Sequence, residues 1–61
     1  MRYLIQVTYR SGVTRELLRR FDVIDRAIAH ARSVIEDNSA ITSVQVVVVE
    51  DGAIAYRWPR A

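Results

Sequence analysis

The side chains here that titrate nearest neutral pH and so most readily move a proton are one histidine, His30, and seven carboxylates; those that could grip a phosphate or carboxylate are nine arginines, with no lysine among the basic residues. General acid–base or nucleophilic chemistry needs a nucleophile or a paired acid and base held in a pocket. His30 has no spaced partner of that kind, and on the outward face of a predicted helix it reads as a surface histidine. Asp22 and Asp25 suit the start of that helix, where a carboxylate caps free N–H groups and meets the positive end of the helix dipole. Glu36 and Asp37 fall at its other end, where negative charge is mildly unfavourable, and they belong to no motif. With no cysteine and one histidine, metal-ligand spacing is absent. Gly12 and Gly52 stand singly in turns and build no phosphate-cradling loop. The expectation is a chain without catalytic residues, cofactor or metal, and hence no enzyme.

The arginines carry a different chemistry. Arg10 falls at the tip of a predicted hairpin, Arg15, Arg19 and Arg20 on its second strand, and Arg2 near its base. A row of guanidinium groups on a two-stranded ribbon could track phosphates, which makes nucleic-acid binding the alternative functional reading. Two features weigh against it. The nine arginines are offset by seven acids, leaving a net charge of only +2. Tyr3, Tyr9, Phe21, Tyr56 and Trp58 all map to the predicted core face, so no exposed ring remains for base stacking. Charge on an edge strand also has a plain structural use, since it discourages unwanted pairing.

The elements that position these residues follow from periodicity. Tyr3, Ile5, Val7 and Tyr9 alternate with Leu4, Gln6, Thr8 and Arg10, the pattern of a strand with one buried face. Arg10-Ser11-Gly12 then predicts a three-residue hairpin loop with glycine in the left-handed region, pairing Tyr9 with Val13 and starting a second strand over Val13 to Phe21, a reading preferred to a helix from Thr14 although Leu17, Leu18 and Phe21 also fit a 3.6-residue period. That register puts Val13, Leu17 and Phe21 on the face of Tyr3 and Ile5. Asp22 is the expected helix N-cap. Ile24, Ala27, Ile28, Ala31 and Ile35 form the apolar stripe, Arg26, Ala29, His30, Ser33 and Asp37 point outward, and Asn38 is the expected left-handed C-cap. Val44 to Val49 reads as a buried strand, Glu50-Asp51-Gly52 as a second three-residue loop, and Ala53 to Trp58 as the last strand, stopped by Pro59. In this register Val44, Val46 and Val48 share a face with Ile54, Tyr56 and Trp58.

The predicted fold is a single α+β domain over residues 1–61 of order ββαββ: a four-stranded antiparallel sheet, strand order 2-1-3-4, with one helix packed on one face. A core of this size supplies roughly 3–5 kcal/mol, and without disulfides or metal the remaining source of stability is association. The face away from the helix should carry Gln6, Thr8, Thr14, Glu16, Gln45 and Arg57, together with an apolar strip of Leu4, Leu18, Val47, Val49, Ala53 and Ala55. A solvated antiparallel face would alternate to polar residues throughout, so the strip predicts a partner surface, most simply one for a second copy in a symmetric dimer. Another, unidentified protein is the further candidate partner. No apolar run is long enough to span a membrane and no apolar leader follows Met1, so a cytoplasmic protein is expected. Small size and lysine-free composition suit an accessory protein of a bacterium or phage.

Overall fold

In the computed structural model, residues 1–58 are described, and the expected Pro59 strand stop lies outside them. The elements are β1 (Tyr3–Tyr9), β2 (Thr14–Phe21), α1 (Ile24–Asp37), β3 (Ile41–Val48) and β4 (Ile54–Trp58). They form one sheet of order β2-β1-β3-β4, every neighbouring pair antiparallel, as expected. Because β2 and β3 both run against β1, they are parallel to each other and cannot be joined by a hairpin. The helix makes that crossover and packs over β3, β1 and β2.

The first loop has the expected form. Gly12 lies at φ +90° and donates its N–H to the Tyr9 carbonyl at 2.9 Å, while the Tyr9 N–H reaches the Val13 carbonyl at 2.8 Å. Pairing continues through Thr8–Thr14, Val7–Arg15 and Gln6–Glu16, then resumes at Leu4–Arg20 and Tyr3–Phe21, so Leu17 to Arg19 bulge against Ile5 alone. The slip is two residues, so side chains keep their faces. Its effect is to bring Phe21 level with Tyr3 and into the core.

The second loop differs from expectation. Val48 pairs with Ala53, its N–H 2.8 Å from the Ala53 carbonyl, and the Gly52 N–H bonds the Val48 carbonyl, so Val49 to Gly52 make a four-residue loop. Gly52 still supplies the left-handed residue, at φ +73°. Val47 now opposes Ile54, whereas Val46–Tyr56 and Val44–Trp58 stand as predicted. Between them Ala55 is the extra residue of a β-bulge. A one-residue slip turns side chains over, so Ile54 moves to the open face and Ala53, opposite Val48, leaves it. The placement of Ala53 on the open face and of Ile54 beside Val48 is therefore corrected.

Both helix caps also differ. The N-cap is Val23, with extended φ −117° and ψ 127° and no side-chain hydrogen bond, so Asp22 does not cap. Asn38 is extended at φ −134° instead of left-handed. Its side chain accepts the Ala40 N–H at 3.0 Å and its carbonyl accepts the Ile41 N–H at 3.1 Å, which turns the chain directly into β3. The core lies between helix and sheet. Ala27 and Ala31 are fully buried on the helix, facing Ile5, Val7, Val44 and Val46, with Phe21 and Ile41 alongside. Two alanines on the buried stripe let the helix approach the sheet closely. Tyr3, Tyr9, Tyr56, Trp58 and Val34 pack around this centre. His30 is half-buried, its ring tilted on Phe21 at 5.3 Å between centroids, and so is not the outward residue expected. No described helix is long and apolar enough to cross a membrane.

Candidate interaction face

No described element covers the second face of the sheet, whose side chains fall into rows set by the strand registers. One row runs Glu16, Gln6, Gln45, Arg57 from β2 to β4. Gln45 Nε2 donates to Gln6 Oε1 at 2.6 Å, and Arg57 Nη2 reaches Gln45 Oε1 at 3.4 Å. At its β2 end Glu16 pairs with Arg20 at 3.6 Å, both side chains about half exposed. The row thus has an acid at one edge, amides in the centre and a base at the other edge.

The adjacent row is Arg20, Leu4, Val47, Ile54. Leu4 and Val47 are each 7% exposed although they lie outside the helix-side core, because on the two central strands they are screened by each other and by same-face neighbours. Apolar surface continues outward at Ile54, 49% exposed, and at Val49, 39% exposed, which follows Val47 on the same side. On the opposite flank is a hydroxyl row of Thr14, Thr8 and Ser43, with 3.4 Å between the threonine hydroxyls.

Of the six residues expected to form the apolar strip, Leu4, Val47 and Val49 meet at one corner of the face. Leu18 stands apart in the β2 bulge, 95% exposed at the sheet edge. Ala55 is exposed in the β4 bulge and Ala53 turns to the other side. Sequence reasoning missed Ile54, since the loop chemistry Glu50-Asp51-Gly52 is compatible with either loop length. It also missed the Gln6–Gln45 bond, which depends on a register between strands more than thirty residues apart in the chain.

The arginines do not form one track. Arg10 is at the turn, Arg15 alternates onto the helix side opposite Val7, and Arg20 lies on the open side opposite Leu4. The Arg19 guanidinium carbon sits 5.1 Å from the centre of the Phe21 ring, continuing a stack that ends on His30. Comparison of the chain with protein-family models, curated proteins and solved structures returned no match.

Proposed function

We propose that this chain is a non-catalytic interaction module that self-associates through the helix-free face of its sheet. The observation that carries this reading is the apolar corner: Leu4 and Val47 continue into the exposed Val49 and Ile54 on a face that no described element covers. A domain this small exposes such surface at a cost in stability that a second copy offsets by burying it. The face spans four strands about 4.8 Å apart and some seven residues of about 3.4 Å, a footprint of roughly 450 Å², against about 800 Å² per partner in a standard interface. The association is therefore of the weak, concentration-dependent kind. The cysteine-free composition supports action in the cytoplasm, and the small accessory role expected from size fits such a module.

The test substitutes residues that are already exposed, so that the monomer keeps its fold. Leu18→Glu combined with Val49→Glu places two like charges per subunit at the joining surfaces. Sedimentation across a dilution series should show the parent passing from dimer to monomer and the double variant monomeric throughout. A parent that stays monomeric at millimolar concentration refutes the proposal. Salt-sensitive binding of mixed-sequence DNA or RNA, lost in Arg15→Ala/Arg19→Ala/Arg20→Ala, would favour the arginine-hairpin alternative instead.

A further inference from the structure

Resting on the self-association reading, we infer that the second copy is related by a two-fold axis running parallel to the strands between β1 and β3, which sets Glu16 opposite Arg57 of the partner subunit and Gln6 opposite Gln45 of the partner subunit. The argument starts from the charge order of the central row. Glu16 and Arg57 occupy opposite edges of one face, three strand spacings or about 14 Å apart, too far to pair within a subunit. Their present partners are weak: an exposed ion pair at 3.6 Å for Glu16 and a 3.4 Å contact to an amide for Arg57.

Two sheets stacked face to face by a two-fold operation have their axis in the plane between them. An axis running along the strands reverses the order β2-β1-β3-β4, so β2 lies over β4 of the partner and β1 over β3. Each Glu16 then meets an arginine and each Arg57 an acid. An axis running across the strands along this row keeps the order, laying Glu16 over its own copy and Arg57 over its own copy. Charge therefore selects the first arrangement. The central amides agree with it, because Gln6 keeps its Nε2 donors and Gln45 a second lone pair on Oε1 after making the bond between them.

The apolar residues give an independent reason. Leu18 is stranded at the β2 edge and Ile54 is half exposed at the β4 edge. Only the strand-parallel axis lays those two edges over each other, while Leu4 and Val47 meet at the centre. Aligned sheets cross at about −30°, which displaces a row end about 7 Å from the axis by about 3.5 Å, a shift that the long Glu and Arg side chains absorb.

The experiment uses two single variants and their mixture. Glu16→Arg and Arg57→Glu each place like charges at both ends of the row, and each should self-associate about tenfold or more weakly than the parent. Mixed in equal amounts, they restore opposite charges at both ends, and a heterodimer close to parental affinity should appear in sedimentation or native mass spectrometry. The neutral variants Glu16→Gln and Arg57→Gln should weaken association less, and their mixture, which restores one of the two Glu–Arg contacts, should gain less than the charge-reversed pair. A parent dimer disrupted by Leu18→Glu/Val49→Glu but showing no rescue on mixing overturns the axis and leaves the self-association reading standing. A monomeric parent overturns both.

Discussion

Single residues show how unevenly this small fold distributes its stability. Val46 is fully buried beneath the helix, paired with Ile5 on one side and Tyr56 on the other. Val46→Asp would place an unpaired charge there at a cost of several kcal/mol, comparable with the whole stability of such a domain. We expect loss of the cooperative thermal transition, followed by circular dichroism. The helix start behaves in the opposite way. Since Val23, not Asp22, occupies the N-cap with extended dihedrals and no side-chain bond, Asp22→Ala should change stability by less than about 0.5 kcal/mol. Val23→Asp supplies the missing acceptor at a half-exposed site and should stabilise by about 0.5–1 kcal/mol. Urea titrations of the two variants separate these cases.

At the scale of elements, the two hairpins are set by glycines with positive φ, and neither glycine has a heavy atom within 4 Å of where a Cβ would stand. The penalty of Gly12→Ala or Gly52→Ala is thus one of backbone conformation alone, about 1–2 kcal/mol each, without steric clash. Asn, which tolerates the left-handed region better, should cost less at either position, and chemical denaturation of the four variants would check the ranking. The loops differ in consequence. A three-residue loop keeps β2 in phase with β1, whereas the four-residue loop after Val48 needs the Ala55 bulge to bring Tyr56 and Trp58 back over the core. That correction leaves Ile54 on the open face and creates the apolar corner.

For the molecule as a whole, a thin core and an uncovered face are two sides of one condition. If a second copy closes the face, protein at ten times the dissociation constant gains about 1.4 kcal/mol over dilute protein. For a domain of this length that corresponds to a rise of roughly 6–11 °C in Tm. Trp58 packs against the core with the Arg32 guanidinium carbon 4.9 Å from its ring centre, so its fluorescence should report the transition. A Tm independent of concentration over three decades would count against association.

Local pattern determined much of this protein. The alternation at Tyr3 to Tyr9, the 3.6-residue stripe from Ile24 to Ile35 and the glycines of two turns are properties of neighbours in the chain, and they led to the ββαββ order, the strand order and the core face of every aromatic residue. The first loop was legible, whereas the helix caps and the length of the second loop were not. Asp22 and Val23 compete for one position, and the tight passage from Phe21 into the helix places Val23 at the cap. Three- and four-residue loops can share the chemistry Glu-Asp-Gly, and the choice between them rests on how β4 packs, not on the loop itself. The rows of the open face depend on registers between β1 and β3, which only the folded sheet fixes. Composition could suggest that the face is partly apolar. Hairpin periodicity already put Glu16 and Arg57 on the open face of the two edge strands; tertiary structure alone joined them into one row, because the Gln6–Gln45 register between β1 and β3 pairs segments far apart in the sequence.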